Sequence, residues 1–350
     1  MERIRIHILF TNRHGSGVRS QAQAWHSSSL PWNGSRPCTK HNRCGFQSKQ
    51  SVKRECYNAK FTYSQRRSAF VAALAISLET PFNLTMTVSS WQRRIQRAEE
   101  LAREHPFARE MLGYYAHVAS YQQDLNRRLA NGLPGESRST FHAELSANEV
   151  ETLSSRFESF LSVAEAHGPK SLGELSRELR TRGKSFCSEL LQHVWIAPSF
   201  SDAQGLLALA FLQPYAELLR SRAPAHPARS ALALCPFCNR KPGLGVLRQM
   251  GDGGARSMIC SFCLAEWEFR RIVCPGCGGE DDKKLSVFTA SEFDYIRVEC
   301  CDACKTYIKS VDLTKNGRAE PLVDELASAP LDLWAREHGY AKLQNNLLGM

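Results

Sequence analysis

The sequence has no long apolar run. None of its 350 residues lies in an uninterrupted apolar stretch of about 18, the length that a helix needs to cross a bilayer. The nearest candidate is Ala69–Leu78, which follows Arg66 and Arg67 and has the length of a signal-peptide core. Its arginine motif is incomplete and it lies far from Met1. The sequence therefore predicts neither export nor a membrane span.

Acidic residues are nearly absent from the first 85 positions. This segment holds 13 Lys and Arg against 3 Asp and Glu, whereas residues 86–350 hold 32 of each sign. The formal charge of +10 therefore comes from one end of the chain, and the neutral remainder gives little support for a nucleic-acid partner. Residues 1–85 also lack a sustained apolar period. We predict that they are disordered or a non-native upstream extension, with Met86 as the natural first residue.

The common catalytic signatures are missing as well. The chain has no G-x-S-x-G, no P-loop and no G-x-G-x-x-G, so it offers neither a nucleophile elbow nor a phosphate-binding loop. We therefore expect a protein that is not an enzyme.

The apolar pattern changes along the chain from helical to strand-like. From Ser89 onward, apolar stripes at helical spacing predict helices, with a break at His105-Pro106 because the residue before proline avoids helical dihedrals. Short strand-like segments follow in the second half. We assign an all-α domain to residues 86–222, a linker to 223–230, a first β module to 231–271, a second to 272–321, and a C-terminal helix and tail to 322–350. The predicted fold class is α+β.

Cysteine is the abundant chemical signal. Eight of the 13 cysteines form four C-x-x-C pairs, namely Cys235/Cys238, Cys260/Cys263, Cys274/Cys277 and Cys301/Cys304. The first two pairs are separated by 21 residues and the last two by 23, which is the layout of a zinc ribbon. Such close spacing, repeated four times, is typical of shared metals and not of extracellular disulfides. It predicts a reducing, cytosolic compartment.

The chemistry of these pairs favours closed metal sites. Each C-x-x-C turn presents two sulfurs on one side, and two turns complete a tetrahedron. Four thiolates leave no position for water or substrate, so we expect a role in folding, recognition or one-electron transfer. Zinc and mononuclear iron both suit such a site, and sequential and interleaved pairing of the turns both stay open. Thioredoxin-type dithiols are disfavoured because no βαβ pattern surrounds the pairs.

The residue after each second cysteine affects the regularity of the turn. Gly278 and Asn239 suit the positive φ that such a turn requires. Leu264 and Lys305 stand at the other two positions. Those two turns are therefore predicted to be less regular.

Cysteines outside the four pairs are not expected to bind metal. Cys300 adjoins Cys301 and breaks the two-residue spacing with Cys304, so it is interpreted as a spare thiol, with a ligand swap as the alternative. Cys187 lies in an apolar predicted helix and is interpreted as a small core residue.

The cysteine-rich half resembles the formate dehydrogenase accessory protein family, FdhE. The stretches that carry the resemblance are Leu234–Arg248, Cys260–Gly278 and Glu299–Lys309, with continuation through Val323–Tyr340 and sparser similarity over Arg97–Gln122. The spacing of Glu266-Trp267 and Arg270 between two cysteine pairs is the specific part. Two departures are the absence of a counterpart for residues 1–85 and the presence of Cys300 where the family usually has a small polar residue.

The resemblance implies a helical domain joined to two tandem rubredoxin-like modules. It also implies a cytoplasmic assembly factor, with iron as the favoured metal and zinc as the alternative, that binds the catalytic subunit of a respiratory formate dehydrogenase and is needed for its activity. A zinc-ribbon protein that binds nucleic acid and a rubredoxin-like electron carrier are the two alternative functions.

Residues between the cysteine pairs are candidates for contact with a partner. These are Glu266, Trp267, Arg270 and Arg271. The alternative for Trp267 is a ring that covers one metal site. The alternative for the three charged residues is a set of ordinary surface ion pairs on a predicted strand.

Overall fold

The structure, a computed structural model, describes residues 10–12, 89–132, 144–197, 202–223, 233–251 and 253–349. Among these residues, no helix is both long enough and apolar enough to cross a membrane. Apart from Phe10–Asn12, a three-residue strand (β1), the predicted extension over 1–85 lies outside the described residues, as does most of the predicted linker. The domain boundaries given above stay predictions.

The first half of the described chain is helical, as predicted. Its helices are α1 Ser90–Glu104, α2 Arg109–Gly132, α3 Ala147–His167, α4 Lys170–Thr181, α5 Gly183–Ile196 and α6 Ala203–Arg222. Ser89 is the N-cap of α1, and its Oγ accepts a hydrogen bond from the Gln92 N–H at 3.1 Å. The helix ends at Glu104 since Pro106 forbids a helical conformation at His105.

Helix α6 lies at the centre of this part and is buried along most of its length. Pro214 lies inside α6 and has no N–H to donate to the carbonyl of Ala210, one turn earlier. Gln122 on α2 donates to that carbonyl at 2.6 Å, and Asn126 donates to the carbonyl of Pro214 at 3.0 Å. The two amides therefore fix α2 against α6, and the first one satisfies an acceptor that α6 cannot satisfy itself.

The second half forms one mixed sheet. Its strands are β2 Pro242–Met250, β3 Gly253–Cys260, β4 Glu266–Glu268, β5 Leu285–Ala290, β6 Phe293–Cys301, β7 Thr306–Asp312 and β8 Ala341–Lys342. The order is β1-β5-β6-β7-β2-β3-β4, with β8 beside β7. The pairs β2–β7 and β7–β8 are parallel and the others are antiparallel. The predicted α+β class is confirmed.

The parallel pairing of β2 with β7 joins the two cysteine-bearing regions. Gly245 lies opposite Ser310 in this pairing, and a Cβ at Gly245 would lie 2.2 Å from Ser310 Oγ. A side chain at position 245 would therefore force the Ser310 hydroxyl to move, and glycine avoids this clash at the close approach of the two strands. Val246 and Val298, one from each region, belong to a single apolar core. The two regions thus share a sheet and a core.

Two short helices follow the sheet where one was predicted. These are α7 Pro321–Ala327 and α8 Ala329–Glu337, which are separated at Ser328. Asp324 on α7 accepts two hydrogen bonds from Arg97 of α1, at 2.7 and 3.0 Å, and one from Tyr295 at 2.7 Å. This buried carboxylate therefore connects α1, the sheet and α7.

A cluster of four charged side chains is buried between the sheet and these two helices. Lys309 Nζ lies 2.6 Å from Asp332 Oδ2 and 3.1 Å from Glu325 Oε1, and Lys342 contacts the same two carboxylates. Tyr307 donates to Asp332 at 2.8 Å. All four charged side chains are at most 2% exposed. We call Lys309, Lys342, Glu325 and Asp332 the buried charge cluster, in which two positive charges balance two negative ones.

Candidate metal centres

The eight paired cysteines gather into two groups of four. Cys235, Cys238, Cys260 and Cys263 form one group, which we call the first centre, and their sulfurs all lie within 4.8 Å of one another. The Sγ atoms of Cys238 and Cys260 are 3.2 Å apart, and those of Cys235 and Cys263 are 3.5 Å apart. The turns therefore pair in sequence order.

The second centre consists of Cys274, Cys277, Cys301 and Cys304. The Sγ atoms of Cys274 and Cys304 are 3.7 Å apart, and those of Cys277 and Cys301 are 3.8 Å apart. Four sulfurs bound tetrahedrally at about 2.3 Å from one ion would lie about 3.8 Å from each other. The second centre has this spacing and the first is slightly tighter, so both donor sets fit an ion such as zinc or iron. The interleaved pairing is not the one found.

All four C-x-x-C turns have a positive φ at the residue that follows the second cysteine. The residue after the second cysteine has a φ of 57° at Asn239, 55° at Leu264, 75° at Gly278 and 56° at Lys305. The prediction that the turns before Leu264 and Lys305 are less regular is therefore wrong. At a non-glycine residue such a φ costs about 1–3 kcal/mol and persists only where the surroundings enforce it. Here it keeps both sulfurs of a turn on one side.

Three thiols of the first centre have pKa values that are shifted in opposite directions. Burial raises the pKa of Cys260 and of Cys263. Hydrogen bonds from the neighbouring thiols of Cys238, Cys260 and Cys263 lower the pKa of Cys235. These surroundings favour a thiolate at Cys235 and a protonated thiol at Cys260 and Cys263. A divalent ion would displace the protons, and the four converging sulfurs are the donor set that such an ion needs.

The second centre has a similar division between its thiols. Burial raises the pKa of Cys274 to about 12. Burial also opposes the ionisation of Cys304, but hydrogen bonds from Thr306 outweigh it and lower the pKa of Cys304 to about 7. The Thr306 hydroxyl lies 3.0 Å from Cys304 Sγ. A metal ion would again be needed to hold four thiolates side by side.

The first centre is built into the helical core. Phe262, between two of its cysteines, packs edge-on against Trp195 of α5, with ring centroids 5.5 Å apart. Arg240 lies over the Phe262 ring and donates to the carbonyls of Val194 and Trp195 at 2.6 and 3.1 Å. These carbonyls lie in the last turn of α5, where no intrahelical donor is available. Arg240 therefore ties α5 to the first centre. Sequence reasoning missed it, and its only signal is its position two residues after Cys238.

The second centre lies nearer the surface. Cys277 is exposed and Cys304 is half-buried, whereas the other two cysteines are buried. Thr306 and Leu343 close over one side of the first turn. A Cβ at Gly276 would lie 2.7 Å from Thr306 Oγ1 and 3.4 Å from Leu343 Cδ1, so a larger residue at this position would push that cover away.

The four predicted partner contacts do not have the same exposure. Trp267 on β4 is 2% exposed and belongs to the core around the first centre, in keeping with the alternative of a covering ring. Glu266 is exposed and accepts two hydrogen bonds from Arg248, both at 2.9 Å. Arg270 donates to Glu280 at 2.5 and 2.8 Å. Arg271 is exposed as well. Strand β4 ends at Glu268, so Arg270 and Arg271 follow the strand and do not lie on it as predicted.

Cys300 and Cys187 belong to neither centre. Cys300 on β6 is 2% exposed and lies in the core that the two cysteine-bearing regions share, and burial raises the pKa of its thiol. Cys187 on α5 is also buried, and its Sγ lies 3.6 Å from the carbonyl of Leu179. Both are core residues, and the ligand swap is not found.

Two family models match the cysteine-rich part of the chain. Residues 234–271 match the model for the FdhE central domain, and residues 272–348 match the model for the FdhE C-terminal domain. A protein FdhE homolog from Aquifex aeolicus is 28% identical over 272 residues, which are 73% of this chain and 94% of that protein. A homolog from Pseudomonas putida is 36% identical over 135 residues, 36% of this chain and 42% of that protein.

One solved structure has a similar fold. It is the crystal structure of the FdhE protein from Pseudomonas aeruginosa, with a TM-score of 0.52 and 24% sequence identity. The match covers 74% of this chain and 96% of that chain. The shared fold therefore extends beyond the cysteine-rich half into the helical part.

Proposed function

This chain belongs to the FdhE family, and we propose that it is a cytoplasmic assembly factor for a respiratory formate dehydrogenase. In this proposal it binds the catalytic subunit of that enzyme and is needed for the subunit to become active. The observation that carries the proposal is the pair of four-cysteine centres, one within each of the two regions that match FdhE domain models.

We propose that each centre holds one metal ion, with iron preferred and zinc as the alternative. The sulfur-only donor sets and the spacing of their sulfurs support this. Four cysteines occupy every position of a tetrahedral ion, so no position is left for a substrate. The ions would instead stabilise the fold, because metal binding at such sites is coupled to folding.

The charged residues beside β4 are proposed as a contact for the catalytic subunit. Strand β4 lies at one edge of the sheet, and Glu266, Arg270 and Arg271 are exposed on it or directly after it. Exposed charges at the edge of a sheet can select a partner of complementary charge. Trp267 is buried and would act by holding β4 in place.

The test is co-purification of the tagged full chain from cells grown at low oxygen, with metal analysis of the same sample. We expect two ions per chain and capture of the catalytic subunit. Replacement of Cys260 by Ser should reduce both, whereas replacement of Cys187, which is buried outside both centres, should reduce neither.

Two outcomes would contradict the proposal. A folded, metal-free chain that still captures and activates the subunit would exclude a role for the metals. A metal-loaded chain that neither captures nor activates any formate dehydrogenase would exclude the assembly function. The double substitution Arg270→Glu and Arg271→Glu tests the contact surface separately, because it leaves all eight cysteines in place and should reduce capture but not metal content.

A further inference from the structure

The two centres differ in their access to solvent. No cysteine of the first centre is more than 9% exposed, and two of the four, Cys260 and Cys263, are completely buried. In the second centre, Cys277 is exposed and Cys304 is half-buried. The contrast is clearest at Cys238 and Cys277, which occupy the same position in the first turn of each centre. One is buried and the other lies at the surface.

The surroundings of the first centre make it inaccessible without wider unfolding. Its cysteines belong to the same core as α3, α5 and α6. Arg240 and Phe262 connect this centre to the last turn of α5. Removal of an ion from this centre would therefore require the sheet to separate from the helices.

The cover of the second centre is thin by comparison. It consists of Thr306 and Leu343 on one side of the turn, and Leu343 directly follows the two-residue strand β8. Lys342 fixes β8 through the buried charge cluster, and the Leu343 N–H donates to the carbonyl of Tyr307 at 2.9 Å. Nothing comparable covers Cys277 among the described residues.

We propose that the second centre exchanges its metal ion, with Cys277 as the ligand that dissociates. The first centre retains its ion for as long as the protein stays folded. This inference depends on the metal binding proposed above. The exchange partner is a metal carrier with a free thiol. Its sulfur forms a bond to the ion as the bond to Cys277 breaks, and its proton passes to the Cys277 sulfur, so charge and oxidation state are unchanged.

The experiment measures the release of zinc from the zinc-loaded full chain into an excess of the coloured chelator 4-(2-pyridylazo)resorcinol. We expect one ion per chain to leave in a fast phase. The second should leave at least about tenfold more slowly, at the rate of global unfolding, because its release requires the core to open. Addition of a small thiol such as glutathione should accelerate the fast phase alone.

Substitutions assign the two phases. Cys277→Ser should remove the fast phase and leave the slow one, while the matched change Cys238→Ser should remove the slow phase. Since Cys238→Ser can also unfold the chain, Leu343→Ala provides a test that keeps every cysteine. It thins the cover of the second centre and should speed the fast phase severalfold. Because Leu343 also packs in the core around the first centre, the slow phase can change as well, but by a smaller factor.

The possible results separate this inference from the proposed function. Release of both ions at one rate, or loss of the slow phase in Cys277→Ser, would overturn the inference and leave the two-metal proposal standing. A folded chain that binds no zinc or iron would overturn the two-metal proposal first.

Discussion

Replacement of Lys309 by Met would remove one charge from the buried charge cluster. Lys309 is completely buried, and its ammonium group contacts Asp332 and Glu325 at 2.6 and 3.1 Å. Loss of this charge leaves one lysine against two carboxylates in a site that water does not reach. Removing one partner of a buried ion pair costs about 3–5 kcal/mol, because the remaining charge has neither water nor a counter-ion. We expect the free energy of unfolding to fall by that amount.

Urea unfolding followed by circular dichroism measures the effect. With a slope of about 3 kcal/mol per molar urea, the midpoint should fall by about 1–1.7 M. The control is Lys305→Met, since Lys305 also pairs with an aspartate, Asp302, at 2.7 Å, but at the surface. An exposed pair contributes about 0–1 kcal/mol, so this control should change the midpoint little.

A second substitution tests whether charge balance is the cause. Lys309→Met combined with Asp332→Asn leaves Lys342 opposite Glu325 and restores neutrality, so most of the lost stability should return. The reasoning would be refuted if Lys309→Met were no less stable than Lys305→Met. It would also be refuted if the double variant were as unstable as the sum of the two single variants.

Other polar and sulfur-bearing groups should respond to substitution or to acid. Arg240→Met removes two hydrogen bonds to carbonyls of α5 and should lower the free energy of unfolding by about 2–3 kcal/mol in urea, against under about 1 kcal/mol for the exposed Arg248→Met. Cys260→Ser should lose one metal ion per chain by native mass spectrometry and part of the near-ultraviolet dichroism. Burial opposes ionisation of Asp332, but the two buried lysines outweigh it and lower its pKa. The stability from this carboxylate is present above pH about 4 and lost as pH falls through the lowered pKa. Without Lys309, burial raises the pKa of Asp332, so this carboxyl takes up a proton at higher pH in the variant, and Lys309→Met should cost less at pH 4 than at pH 7.

A specific result would contradict each of these predictions. Equal effects of Arg240→Met and Arg248→Met would show that the α5 carbonyls are satisfied without Arg240. Two ions retained by the Cys260→Ser chain would exclude Cys260 as a ligand. An equal cost of Lys309→Met at both pH values would show that the charge of Asp332 does not respond to Lys309.

The cysteine turns could be predicted because they depend on local sequence. Two residues between cysteines determine a turn, and the order of the four turns leaves few ways to combine them. The conformation at Leu264 and Lys305 was missed, because side-chain preference is weaker than the requirement to hold two sulfurs together. The unequal exposure of the two centres was not predictable, since it depends on which centre packs against the helices.

Strand β7 shows why part of the sheet escaped the sequence pattern. Its residues Tyr307–Asp312 are all buried, yet they include Lys309, Ser310 and Asp312. Polar residues in a central strand interrupt the apolar alternation from which a strand is predicted. Their partners lie far away in sequence, as Asp332 does for Lys309 and Arg297 for Asp312. Helix α1 was placed correctly to within one residue, because its cap and its stop are both local.

The parallel pairing of β2 with β7 affects the solubility of truncated forms of the protein. A fragment that ends before Thr306 lacks β7, so the backbone of β2 from Gly245 to Leu247 would lose its hydrogen-bonded neighbour. Strand β2 would then be an exposed edge strand next to apolar side chains. Exposed edge strands of this kind pair with strands of other chains and cause aggregation. Each fragment should therefore be insoluble when it is expressed alone. Refolding the two fragments together should give a soluble complex.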